Sequence, residues 1–123
     1  LFSGSSDKMI KIWNTDTHSH IQTLKGHRGG VECLKVDSTG TRLVSGSDHK
    51  HVLIFDVEEA TVLGKLKGHT QAVHDVAIRN DLIASGGRDN VIKLWDANSF
   101  KLIKNFRGHT DSVCCVRFLD DNQ

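Results

Sequence analysis

The pair Gly-His occurs as Gly26-His27, Gly68-His69 and Gly108-His109, at intervals of 42 and then 40 residues. Two other markers keep the same intervals. They are Trp13-Asn14, Phe55-Asp56 and Trp95-Asp96, and Ser3-Gly4-Ser5, Ser45-Gly46-Ser47 and Ser85-Gly86-Gly87. Three independent markers sharing two intervals identify an internal repeat of about 40 residues. A unit that small cannot bury its apolar surface alone, so the chain is constrained to folds in which neighbouring units cover one another.

Each unit contains four short strand-like runs. In the clearest unit they are Val73–Ile78, Ile83–Gly86, Val91–Trp95 and Lys101–Phe106. Apolar residues alternate in Leu34/Val36, Val76/Ile78 and Val116/Phe118, and turn residues separate the runs. No segment sustains a 3.6-residue period, so no substantial helix is expected. The two-residue difference between units falls in a turn. Asp37 to Arg42 fills it in one unit, and Arg79 to Leu82 in the next. Asn80-Asp81 suits a tight hairpin, since both residues tolerate positive φ.

A period of 40–42 residues marked by Gly-His and Trp-Asp resembles the WD40 family over essentially the whole chain. The resemblance implies an all-β propeller fragment of four-stranded antiparallel blades around a central channel. Residues 1–24 would carry the second to fourth strands of one blade, 25–66 and 67–106 a complete blade each, and 107–123 the inner strand of the next. Two complete and two partial blades do not close a ring. The expected remainder is further blades of the same propeller in a longer chain.

Ser85, His69 and Asp89 invite comparison with a hydrolytic triad. The resemblance implies a different role. Blades of this family often carry a hydrogen-bonded tetrad, here Trp95 to Ser85 to His69 to Asp89. Indole nitrogen only donates, hydroxyl and imidazole do both, and carboxylate only accepts, so the chain runs from donor to acceptor without a broken link. A nucleophile would need exposure beside an oxyanion hole. The other units hold partial sets: Ser3, Asp7 and Trp13 in the first, His27 and Ser45 in the second, and His109 in the last. In the second, Phe55 stands in the Trp position and His49 in the Asp position, with Asp48 adjacent.

Partners in this family usually meet the narrower face, at loops and strand ends. The resemblance carries two positions per blade there: Glu32, His74 and Cys114, and Ser6, Asp48 and Arg88. Glu32 and Asp48 make one blade acidic at that face, and His74 and Arg88 make the next basic. That pattern suits a partner of mixed charge.

Composition narrows the function classes. Lys and Arg number 16 against 15 Asp and Glu, which argues against a dedicated nucleic-acid binder. No apolar run reaches the roughly 20 residues of a membrane span. Cys33, Cys114 and Cys115 lie in apolar runs without ligand spacing and read as reduced thiols of an intracellular protein. Neither His18-Ser19-His20 nor His49-Lys50-His51 is completed by further ligands, and no phosphate loop is present, so neither metal nor cofactor is expected. The function expected is a non-catalytic scaffold or adaptor in a multiprotein complex. The alternatives are the substrate-recognition subunit of a ubiquitin ligase and an RNA-associated assembly factor.

Overall fold

The computed structural model describes residues 1–119. Among the described residues eleven strands are present: β1 (Phe2–Gly4), β2 (Ile10–Trp13), β3 (His20–Leu24), β4 (Val31–Val36), β5 (Arg42–Ser47), β6 (Val52–Asp56), β7 (Thr61–Leu66), β8 (Val73–Arg79), β9 (Leu82–Gly87), β10 (Ile92–Asp96) and β11 (Leu102–Phe106). They form three antiparallel sheets, β1-β2-β3, β4-β5-β6-β7 and β8-β9-β10-β11, with sequence neighbours always paired. The described residues contain no helix.

Alternation explains how the sheets stack. In β6, Leu53 and Phe55 join Ile10, Leu24, Val31 and Leu43 in a core shared with the first sheet. Val52 and Ile54 point the other way, into a core with Val73, Val76, Ile83 and Trp95 of the third sheet. All four β6 residues are essentially inaccessible to solvent. The middle sheet is therefore covered on both faces by its neighbours, as a two-residue side-chain period requires.

Sheet contact also accounts for the Ser-Gly motif. A Cβ on Gly46 would lie 2.6 Å from Val73 Cγ1, and one on Gly86 the same distance from Val113 Cγ1. The next unit's inner strand approaches so closely that only a hydrogen fits. The Gly-His glycines have a separate cause, since Gly26, Gly68 and Gly108 adopt φ of 154°, 157° and 156°, which L side chains rarely adopt.

Turn geometry repeats even where residue type does not. Lys8, Lys50 and Asn90 take φ of 77°, 72° and 68°, and His18, Ala60 and Phe100 take 60°, 56° and 63°. In the short hairpin, Arg79 pairs with Leu82 across two residues. Asn80 alone takes positive φ, at 53°, whereas the sequence suggests both Asn80 and Asp81.

The last segment departs from expectation. Residues 113–118 pack through Val113 and Val116 onto Ala77 and Ala84, yet no strand is assigned there. No described strand lies alongside to complete a ladder. Single bonds tie the segment down instead, from Val113 N–H to Gly87 O and from Val116 N–H to the Asp75 carboxylate, both 2.9 Å. Residues 120–123, at the end of the expected last unit, lie outside the described residues.

Candidate functional site

The third sheet holds an unbroken polar chain in its interior. Trp95, on β10, donates its indole N–H to Ser85 Oγ on β9 at 2.9 Å. Ser85 Oγ lies 2.7 Å from His69 Nε2, and His69 Nδ1 lies 2.8 Å from Asp89 Oδ2 in the β9–β10 turn. The indole can only donate, so the Ser85 hydroxyl donates onward to Nε2, and Nδ1–H donates to the carboxylate. Asp89 also accepts from the Thr70 and Val91 amides. Burial pushes the Asp89 carboxyl up, but the His69 bond and these amides outweigh it, leaving it below the ordinary carboxylate value. Burial keeps His69 below the ordinary imidazole value despite Asp89. The Ser85 side chain is fully buried between its two partners, so no substrate carbonyl reaches it.

The middle sheet keeps one link. His27 Nε2 and Ser45 Oγ are 2.6 Å apart. Phe55 fills the indole position without an N–H, its ring centroid 6.3 Å from that of His27. His27 Nδ1 is buried without a hydrogen-bond partner, so Asp48 does not move into the missing acceptor's place. Burial, reinforced by His51 and Lys65, lowers the His27 pKa from 6.5 to about 4. In the first sheet Trp13 donates to Ser3 Oγ at 2.8 Å, and Asp7 caps its own turn by accepting from the Met9 amide. His109 is exposed.

The candidate contact residues gather at one edge of the sheets. The β5–β6 and β9–β10 turns, carrying Asp48 and Arg88, hydrogen-bond through their amides to Gly30 O and Ala72 O, which precede β4 and β8. Gly30 also packs against Ser6 of the first sheet. Ser6, Glu32, Asp48, Arg88 and Cys114 are exposed, and His74 is half-buried. Two of these positions share a backbone feature that the sequence did not disclose. On β4, Val31 pairs with Ser47 and Cys33 with Gly46, leaving Glu32 as the extra residue of a β-bulge. On β8, Val73 pairs with Gly87 and Asp75 with Gly86, leaving His74 in the same role. A bulge re-aims its side chain away from the regular pleat.

Other polar residues escaped sequence reasoning. Arg42 binds Asp37 through Nε at 3.3 Å, and its guanidinium reaches Asn80 O at 3.2 Å and Ala97 O at 3.4 Å in the third sheet. It clamps two sheets at the edge opposite Asp48 and Arg88. Lys93 is buried and donates to Asn105 Oδ1 at 2.8 Å. Leu82 stands 40 residues beyond Arg42, so periodicity carried no signal for Arg42; Lys93 has a counterpart in Lys11 two units earlier, but Leu53 interrupts the series between them. Burial raises the Cys33 thiol to about 12, which makes it unreactive. No group of His, Cys, Asp and Glu able to hold a metal ion occurs among the described residues. Nor is any helix among them long and apolar enough to cross a membrane.

Comparison with known proteins agrees with this architecture. The family model WD40 (WD domain, G-beta repeat) matches residues 1–14, 18–56, 60–96 and 100–123. The chain is 37% identical over 114 residues to nuclear distribution protein PAC1-1 of Uncinocarpus reesii, covering 89% of this chain and 25% of that protein. It is 31% identical over 125 residues to kinesin-like protein KIF21B of Homo sapiens, covering 94% and 8%. It is 28% identical over 122 residues to pre-mRNA-processing factor 19 of Mus musculus, covering 96% and 24%. A solved structure of U3-55K superposes with a TM-score of 0.86 at 26% identity, covering 90% of this chain and 36% of that one. The chain thus spans a quarter or less of these three relatives' length.

Proposed function

The chain belongs to the WD domain, G-beta repeat family, and on that premise we propose that it is a non-catalytic scaffold whose exposed turn edge receives other proteins in a multiprotein complex. The observation that carries this reading is the pair of β-bulges at Glu32 and His74. In two successive sheets the inner strand departs from its ladder at the same place. Each time the extra residue lies one position after the start of the strand, at the end where the Asp48 and Arg88 turns close. The sheets are held rigidly by shared cores, so these side chains are presented with little conformational cost on binding. Glu32 with Asp48, then His74 with Arg88, gives adjacent acidic and basic segments that select a partner of mixed charge.

A catalytic role for the serine finds no support in the geometry. Its hydroxyl is inaccessible and engaged on both sides, which is the setting of a structural bond. We also infer an intracellular location, supported by three free thiols.

The test is affinity purification of the full-length protein with Arg88→Glu and His74→Glu variants. Loss of a wild-type partner in either variant, with an unchanged circular dichroism spectrum, is the expected result. Unchanged recovery in both rejects this edge as the contact surface. A second reading, an RNA-associated assembly factor, takes its support from the name of the pre-mRNA-processing relative. Nuclease treatment before purification separates the two, since a direct protein contact survives it.

A further inference from the structure

Apart from Leu1 and Leu119, the exposed large hydrophobic residues are Ile21, Val62, Leu63, Leu102, Ile103 and Phe106, and all six lie on β3, β7 and β11, the outer strands of the three sheets. Ile21, Leu63 and Ile103 follow the repeat intervals of 42 and 40. Each is also the extra residue of a bulge. Trp13 pairs with His20 and Ile12 with Gln22, Phe55 with Val62 and Ile54 with Gly64, and Trp95 with Leu102 and Leu94 with Lys104. Phe106 is exposed for want of a neighbouring sheet, since its repeat counterpart Leu66 is buried, but that cause does not explain Val62, Leu63 and their counterparts Leu102 and Ile103. β7 belongs to the sheet covered on both faces, yet Val62 is 42% and Leu63 43% exposed.

The outer strands of the two four-stranded sheets are joined by an aromatic ring. Phe100, in the turn before β11, lies so close to Gly64 on β7 that a Cβ there would be 2.8 Å from the ring. Exposed Leu63 adjoins Gly64, and exposed Leu102 and Ile103 follow Phe100 in sequence, so the aliphatic residues of the two outer strands flank this ring. The charge here is one-signed. Residues 20–28, 61–69 and 101–109, the outer strands with the residues that flank them, hold seven of the 16 Lys and Arg and none of the 15 Asp and Glu. All seven are exposed. The near-neutral total thus conceals a cationic rim.

We propose that this rim, centred on Val62, Leu63, Lys65, Leu102, Ile103 and Lys104, is a docking surface for an amphipathic helix of a partner protein, with an aliphatic stripe bordered by aspartate and glutamate. It is a second surface and does not depend on the turn edge. The chemistry of the partner follows from the rim. Exposed aliphatic side chains flanked by unopposed lysines complement apolar residues flanked by carboxylates. A helix suits the rim better than a strand, because a bulge in each outer strand interrupts the ladder that an added strand would extend. A helix needs only side-chain contact. An anionic bilayer fits less well, since these strands contain no Trp or Tyr, the residues that favour the membrane interface. Glu58 and Glu59 are exposed in the turn before β7, so the partner's carboxylates lie toward Lys65 and Lys67 at the other end of the strand.

The test uses the full-length protein and a fluorescent synthetic helix of about 18 residues, long enough for a continuous stripe, with leucines at helical spacing and glutamates elsewhere. A lysine-for-glutamate peptide and phosphatidylserine vesicles are run in parallel. The glutamate peptide is expected to bind, to weaken with added salt, and to lose about tenfold or more in affinity to a Leu63→Glu, Lys65→Glu double variant. Arg88→Glu is expected to leave this binding unchanged. Both sites in the double variant are exposed, and its melting temperature checks that the fold is intact. No binding of the glutamate peptide, equal binding of the lysine peptide, indifference to the double variant, or binding to vesicles alone each overturns the proposal.

Discussion

The second and third sheets share one plan and differ in their polar interiors. Both have four strands in the same order, a bulge after the first residue of the inner strand, and a bulge in the outer strand. Their turns reuse positive φ at Lys50 and Asn90 and at Ala60 and Phe100. Yet the third sheet carries the four-membered chain from Trp95 to Asp89, and the second has a single Ser-His bond with a stranded imidazole nitrogen. Backbone geometry is thus compatible with two different interiors. Apolar packing is common to both sheets, whereas the polar chain is complete in only one. We propose that the chain adds rigidity to a blade whose form packing already specifies.

The largest expected difference comes from deleting the serines. Ser85→Ala leaves both the Trp95 N–H and His69 Nε2 unsatisfied and is expected to cost about 4 kcal/mol, two buried polar groups' worth. Ser45→Ala strands only His27 Nε2 and is expected to cost about 2 kcal/mol. Urea denaturation of the two variants in the full-length protein reads the difference, and equal costs would erase the distinction between the sheets.

Acid separates the sheets next. An unfolded His27 takes up its proton near 6.5, while the folded one resists until about 4. Its contribution is therefore complete above pH 6.5 and lost as pH falls through that window, by about 3 kcal/mol for a gap of that size. A stability profile from pH 7.5 to 4 is expected to slope downward with falling pH. His27→Gln, which removes one titrating group, is expected to make the slope shallower, with His69, also held below the ordinary imidazole value, supplying part of what remains. A profile unaffected by that change would show that His27 is hydrated in the folded protein.

Asp89→Ala removes the carboxylate from His69, Thr70 and Val91 and is expected to cost about 2 kcal/mol. The same substitution at Asp48 tests whether that carboxylate serves His27, and a change under about 0.5 kcal/mol is expected there, as for an exposed site. One substitution is expected to give a gain. His49→Asp offers an acceptor to the stranded His27 Nδ1 and is expected to stabilise by about 1 kcal/mol. Amide hydrogen exchange across β4–β7 is expected to slow with it. Phe55→Trp is less suited to repair the other end, because Phe55 is fully buried and overpacking there costs about 1–3 kcal/mol.

Much of the fold was legible because it obeys a period. The 42- and 40-residue intervals located the strands, and the sheet-to-sheet contact at Gly46 and Gly86 explains why the Ser-Gly motif recurs. The left-handed turns at Ala60 and Phe100 were not legible, since neither residue favours positive φ on its own and the surrounding strand pairing imposes it. The bulges at Glu32, His74, Leu63 and Ile103 were hidden for a related reason. A bulge is a relation between two strands, and either strand read alone looks regular. The sequence singled out Glu32, Asp48, His74 and Arg88 as candidate contacts through family resemblance, but carried no sign that Arg42 bridges two sheets.

The sequence by itself determined the repeat and the all-β class, because both are written in spacing along one chain, and the resemblance to the WD40 family supplied the residue types of the buried polar chain. Only the tertiary structure decided which side chains leave the ladder, which imidazole nitrogen lacks a partner, and that seven of the 16 cations of an almost neutral protein gather without carboxylates along and beside its outer strands. Those properties arise between segments far apart in sequence, where distance in space sets pairing, burial and field.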